Sequence, residues 1–535
     1  MTVTVRCAGT TYNQGVVSIH FPQRFRWVLR LVALALLTFP ALCPGLQANP
    51  QAADSGAGRG RILLVLPFDN NSGQPSLEWI REASSQILGS RFSSAGFAPL
   101  SRADRLYALD HLGLPPGFQP SHASSLKLAQ TLDADAIIVG SYRTDGTRIE
   151  TEAKIISVTR LKMSEPVTAG GELHDLIAVL DTLAWKLTKQ LDPEFSVAQE
   201  TFVAAGANVH LEAFEQYIRG ITEPDQDERL RHLQQAVKLN PDFSEAWMAL
   251  AREDYSGQRY EQAAVAFAKV QGNDADALEA GFYRGLALMF SGDYAKAEVA
   301  FAGVARVLPL AAVLNNQGVA VSRQGHDGTA LFRQAEGADP ASADYHFNLA
   351  VSLNRHGDKA GAQAELAQYL KLRPNDSEAQ QILTAWKDAS SASTVEPLER
   401  IVRGFDAVAF RQAAVMLDQM EASRLAALTP AQRAQTLSTQ ARDYLSRGLL
   451  LESERLYQQA IAEDGRSAVA HEGLAEVRER TGDAAGARKE AQASLELREG
   501  GVQPWLNQLS PAQACHPQGS VQPWFSMTSL SVADQ

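Results

Sequence analysis

Cysteine is nearly missing from this chain: Cys7, Cys43 and Cys515 are the three among 535 residues, and no two have the spacing of a metal pair. That excludes a disulfide framework and a cysteine-based zinc or redox site. Basic runs are missing as well. With 49 Lys and Arg against 61 Asp and Glu, the net charge is -12 and no basic block interrupts it, which argues against a nucleic-acid surface. Long apolar runs are also lacking. The longest near the N-terminus, residues 31–43, is broken by Pro40 and is too short to span a bilayer as a helix. Motifs that announce chemistry are absent: no HExxH, GxSxG, Walker loop or CxxC, and 11 histidines without ligand spacing. The glycines Gly56, Gly58 and Gly60 precede their strand rather than follow it, so they form a linker and not a dinucleotide loop. Nothing here argues for an enzyme, and no cofactor or metal is expected.

What is present begins with a leader. Arg24, Arg26 and Arg30 precede the apolar run, Leu46-Gln47-Ala48 offers a peptidase site, and no acidic residue appears before Asp54. This pattern predicts a cleaved signal over residues 1–48 and a periplasmic or envelope-associated protein. Membrane contact would come only through the leader, were it uncleaved. Cys43 does not make a lipid-attachment site, because Leu42 stands where a small residue is needed.

After a linker at 49–60, residues 61–192 mix strand and helix patterns. The run 62–68 is wholly apolar until Pro67, which lacks the N–H a sheet ladder needs, and Asn70, Asn71, Ser72 and Gly73 then form a turn. Helices are expected at 77–95, at 101–112 behind the cap Ser101, at 121–132 and at 175–191; further strands at 97–100, 136–142 and 149–158. The stretches "ILLVLPFDNNSG", "LAQTLDADAIIVGSYR" and "IISVT" resemble the amino-terminal domain of TolB and CsgG-like modules. That resemblance implies an envelope-associated binding module without catalysis. TolB's propeller has no counterpart here.

From residue 208 the period changes. Ala263 and Phe267 recur 34 residues later as Ala297 and Phe301, Pro340 and Pro374 are 34 apart, and Pro241 and Pro309 twice that. Gly292-Asp293 returns as Gly357-Asp358 and Gly482-Asp483. Small residues such as Gly285, Ala297, Ala350 and Ala362 let paired helices approach, and Phe301, Leu366 and Tyr369 fill the gaps between repeats. A helix–turn–helix unit of this length resembles the tetratricopeptide repeat. The arrangement expected is a repeat array over 208–388 made of five units and a closing helix, a Ser/Ala-rich linker at 389–396, a helical region at 397–501 with two further repeats, and a disordered tail at 502–535. The fold class is therefore α+β and mostly α: an N-terminal α/β domain with a small mixed sheet, then an α-α superhelical solenoid.

What the repeat resemblance implies for function is surface. The first helix of each repeat lines a concave groove, and repeat alignment places there Met248, Arg252 and Tyr255; Phe282, Met289 and Phe290; Asn315, Ser322 and Arg323; and Phe347, Asn354 and Arg355. Packing between helices is the alternative for Phe282, Met289 and Phe347. An apolar groove edged by Arg and Asn suits an extended peptide or an amphipathic helix, so other proteins or peptides of the cell envelope are the expected partners. The expected function is a non-enzymatic scaffold or adaptor. A second reading makes the α/β module a small-ligand or signal sensor whose state the repeats relay.

Overall fold

The computed structural model describes residues 61–498 apart from 208, 271–273, 388–396 and 406. The leader, both linkers and the tail expected from the sequence lie outside these residues.

The N-terminal part is one mixed sheet between helices. Strands β1 (Ile62–Val65), β2 (Asp69–Asn70), β3 (Ala98–Pro99), β4 (Ala136–Thr144), β5 (Arg148–Ser157), β6 (Lys162–Met163) and β7 (Val167–Glu172) run in the order β3-β1-β4-β5-β6, with β2 on β4 and β7 on β5. β1 is parallel to β3 and β4, whereas β4 and β5 form a long antiparallel pair from Ala136↔Ser157 to Thr144↔Ile149. Leu63 and Val65 face one side of the sheet, against the helices Ile80–Ser94 and Leu176–Leu191, through Ile80, Phe92, Leu180 and Leu187. Leu64 and Leu66 face the other side, against the helices Arg102–His111 and His122–Thr131, through Leu109 and Leu128. A strand buried on both faces reads as a continuous apolar run, which is why β1 shows no alternation.

The run expected as one strand over 62–68 divides in two. Leu66 N–H still reaches the carbonyl of Ile138 at 3.0 Å, but Pro67 breaks the ladder and Phe68 N–H turns to Arg81 O at 3.2 Å. Asp69 and Asn70 then rejoin the sheet beside Ser141 and Tyr142. The reversal after them is a local network: Asn70 accepts from Ser72 N–H at 3.0 Å and donates to Gln74 O at 3.2 Å and Glu78 at 3.0 Å. These polar residues are consumed in building a turn. Strands β6 and β7 did not register in the sequence, because Lys162 and Met163 are exposed and β7 carries Gly170 and Gly171.

From residue 211 on, antiparallel helix pairs stack. They are Leu211–Thr222 with Gln226–Leu239, Ser244–Ser256 with Tyr260–Phe267, Asp274–Phe290 with Tyr294–Val307, Ala311–Arg323 with Thr329–Ala338, and Ala343–Arg355 with Lys359–Leu372; the helix Ser377–Lys387 follows. A long helix, Ala407–Ala426, leads to two more pairs: Pro430–Ser446 with Leu450–Glu463, and Ala468–Thr481 with Ala484–Leu497. The Gly-Asp dipeptides perform two tasks at each hairpin. Gly292, Gly357 and Gly482 take φ of +84°, +89° and +90°, which ends the first helix without the steric cost a Cβ brings. Asp293, Asp358 and Asp483 then cap the second helix by accepting from Lys296, Gly361 and Gly486 N–H. In the pair at 244–267 the left-handed position is filled by Gln258, at φ +59°. Gly285 shows why small residues recur at the crossing: a Cβ there would lie 2.6 Å from the Phe301 ring.

The array is joined to the sheet at both ends. Phe214, Ile218 and Leu233 of the first repeat, with Phe243 just before the second, belong to the same core as Leu63 and Phe92. The last repeats return to the stretch after Leu176–Leu191. There Glu454 accepts from Ala198 N–H at 3.2 Å and from the Thr201 hydroxyl and Gln458 donates to Ser196 O at 3.1 Å, while Arg455 donates to Ser94 O, at the end of the helix Ile80–Ser94, at 3.2 Å. Glu454 is fully buried and also holds Arg478 at 3.3 Å. No helix among the described residues is long and apolar enough to cross a membrane.

Candidate functional site

The concave face between residues 282 and 376 is filled by the chain itself. Residues 397–405, Pro397-Leu398-Glu399-Arg400-Ile401-Val402-Arg403-Gly404-Phe405, run without regular secondary structure along the first helices of the third, fourth and fifth repeats. Two asparagines read the backbone. Asn348 accepts from Arg400 N–H at 2.6 Å and donates to Arg400 O at 2.7 Å; Asn316 accepts from Val402 N–H at 2.9 Å and donates to Val402 O at 2.8 Å. Each side-chain amide therefore pairs with both polar groups of one residue, as a neighbouring strand would. The paired residues are two apart, the spacing at which an extended chain presents the same edge. Asn315 adds a donor to Arg400 O at 3.2 Å and accepts from Asn348 at 2.7 Å, so the fully buried amides support one another.

Side chains of the segment meet charge partners. Glu399, 4% exposed, accepts from Ser322 and Arg355 and lies 3.3 Å from Arg323 Nε. Burial pushes its carboxyl up, but the hydrogen bonds from Ser322 and Arg355 outweigh this and the net shift is downward. Arg400 pairs with Asp376 at 2.8 Å and Asp344 at 3.3 Å, donates to the Tyr369 hydroxyl, and stacks 4.1 Å from the Phe347 centroid. Hydrogen bonds from Arg400, then from Tyr369 and Ala379 N–H, hold Asp376 far below the usual carboxylate range. Further on, Val402 packs beside Leu314 and Tyr345, Arg403 lies 5.5 Å over Phe290, and Phe405 meets Phe282 at 5.5 Å. Phe405 N–H reaches the Tyr283 hydroxyl at 3.4 Å.

The residues expected to line the groove fall into three sets. Asn315, Ser322, Arg323, Phe347, Arg355, Phe282 and Phe290 contact the segment directly, by the bonds and ring contacts above. Met248 and Met289 are 5% exposed and belong to the same apolar cluster as Phe282. Tyr255 joins a ring cluster with Tyr260, Phe267, Tyr283 and Phe290, and burial pushes its hydroxyl up to about 12. Arg252 is committed to Glu279 at 2.7 Å. Asn354 is half-buried near the end of its helix, with no hydrogen bond to the segment among the described residues. Sequence reasoning missed Asn316, Asn348, Asp344, Tyr369 and Asp376. A signal existed: Asn316 and Asn348 stand at the same repeat position, each nine residues before its hairpin glycine, Gly325 or Gly357, and are polar there.

A second concavity of about 220 Å³ lies at the carboxyl end of β1, lined by Pro67, Asp69, Arg81, Phe118, His122 and Lys154, among others. Arg81 there is already engaged, donating to Phe68 O at 3.1 Å and Glu78 at 2.9 Å. Among the described residues no group of three His, Cys, Asp or Glu is placed to hold a metal ion.

Fold and groove together define a helical-repeat scaffold whose concave face accommodates extended polypeptide. Within the array, residues 321–377 and 438–502 match the family model described as a tetratricopeptide repeat. Similar solved structures include MamA residues 41 to the end from Desulfovibrio magneticus RS-1, 20% identical over 32% of this chain and 99% of that one, TM-score 0.28. YrrB, described as a tetratricopeptide-repeat protein with an unusual peptide-binding site, is 14% identical over 38% and 98%, TM-score 0.29. The LpoB C-terminal domain from Escherichia coli is 15% identical over 22% and 85%, TM-score 0.18. Similarity at this level says nothing of what this chain binds. No curated protein matches it.

Proposed function

We propose that the protein is a non-enzymatic adaptor of the cell envelope that holds other proteins through extended segments laid in its repeat groove. The observation that carries this is the backbone pairing of Arg400 and Val402 by Asn348 and Asn316, which any extended polypeptide can satisfy. The leader pattern at 1–48 and the resemblance of 61–192 to TolB and CsgG-like modules support an exported location. Crosslinked pull-down from cell envelopes with the full chain tests the reading. Partners should be captured by the native chain and lost with Asn316→Ala and Asn348→Ala together; undiminished capture by that variant sinks the groove assignment.

A small-ligand role for the α/β module rests on the concavity beside Pro67 and Arg81. It requires a ligand that raises the melting temperature of the full chain and loses that effect with Arg81→Ala.

A further inference from the structure

We infer that residues 397–405 are a resident stand-in for the partner, and that the groove selects extended peptides carrying Glu-Arg followed by two β-branched residues and, three positions further, an aromatic ring. This rests on the adaptor reading and names the chemistry of its partner.

Three features separate the segment from an ordinary piece of core. Its backbone is held by side chains, not by a sheet or helix, so it contributes no scaffold of its own. Its exposure is uneven along its length: Pro397 and Glu399 are buried on either side of Leu398, which is 63% exposed, and Arg403 and Gly404 are exposed. Its charges are matched one by one. Glu399 enters a site made by Ser322, Arg323 and Arg355, and Arg400 enters one made by Asp344, Tyr369 and Asp376. Reversing that order of charges places Glu against Asp344 and Asp376 and Arg against Arg323 and Arg355, so the groove distinguishes Glu-Arg from Arg-Glu. Val402 beside Tyr345, and Phe405 against Phe282, set the apolar positions.

A tethered ligand competes at an effective concentration on the order of a millimolar for a short tether. A partner must therefore exceed that competition, either by fitting the same register more tightly or by bringing added contacts.

The test uses the full chain and a fluorescent peptide with the sequence PLERIVRGF. In the native chain it should bind weakly, because the resident copy competes. In the double variant Glu399→Arg, Arg400→Glu the groove walls are unchanged but the resident copy is repelled, and the peptide should bind at least tenfold more tightly. Adding Asn316→Ala and Asn348→Ala should remove that gain, and a peptide with the Glu and Arg exchanged should not bind. Peptide affinity equal in the native chain and a folded double variant overturns the inference. So does a double variant that instead dimerises by light scattering, since the occupant is then a second copy. Should the double variant not fold, the native chain decides: millimolar peptide must raise hydrogen exchange across 397–405 at least threefold, and unchanged exchange is a refutation. Envelope partners captured by a chain that fails these tests leave the adaptor reading standing without this one.

Discussion

Replacing Asn348 with alanine removes three hydrogen bonds at once: the acceptor for Arg400 N–H at 2.6 Å, the donor to Arg400 O at 2.7 Å and the donor to Asn315 at 2.7 Å. Each is worth about 0.5–1.5 kcal/mol net, and a buried group left unpaired costs about 1–3 kcal/mol. Arg400 O keeps the Asn315 donor at 3.2 Å, so the groups left without a partner are the Arg400 N–H and the Asn315 Oδ1. The sum for releasing the segment is about 3 kcal/mol, roughly a hundredfold in the opening equilibrium. Global unfolding is a poor readout here, because a long repeat array need not unfold in one step. Hydrogen exchange over 397–405 reads the local opening directly and should quicken by about two orders of magnitude. Asn348→Asp keeps the acceptor but turns a carboxylate oxygen toward Arg400 O and Asn315 Oδ1, so it should be no better than alanine. Asn354→Ala serves as control and should change nothing. Less than a threefold change in Asn348→Ala would refute the claim that this amide holds the segment.

Other outcomes follow from the same geometry. Gly285→Ala forces a Cβ to 2.6 Å from Phe301 and should destabilise by about 1–3 kcal/mol, with Phe301→Leu restoring part of it in thermal melts. Gln258→Gly relieves the left-handed backbone at φ +59° and should stabilise by about 0.5–1 kcal/mol. Asp376 and Glu399 both have lowered pKa values, so their contribution to docking is complete above the ordinary carboxylate range and fades as pH falls through it toward the folded values. Exchange of 397–405 should accordingly rise, after correction for intrinsic rates, between pH 5 and 3, and less so in Asp376→Asn. Glu454→Gln should loosen the return contact with Ala198, Thr201 and Arg478 and expose residues 193–205 to protease.

Much of the fold was legible because its signals are local. The Gly-Asp hairpins, the Ser101 cap and the apolar run of β1 each announce a structure within a few residues. The groove lining was legible in part: Asn315, Arg323 and Arg355 stand at repeat positions that packing does not require. Met248 and Met289 are harder to read, since a helix at a repeat interface buries residues on more than one side and periodicity does not say which. Asn316 and Asn348 were missed for a related reason. A buried asparagine is explained only by what it pairs with, and the partner lies 52 residues or more away in sequence. The return of Glu454 to Thr201, 253 residues back, has no local signature at all.

That return contact has a consequence in time. A ribosome adding about 5–20 residues per second needs on the order of 10–50 s to travel from Thr201 to Glu454. Throughout that interval Ser196, Ala198 and Thr201 wait for partners still to be synthesised. In the meantime the first repeat and the groove walls are synthesised, followed by the segment that fills them. The residues that fasten the array back to the sheet are made after all of these. A chain halted before residue 454 would hold a finished groove on an open frame, and the fastening step would then set when the molecule acquires its full resistance to unfolding.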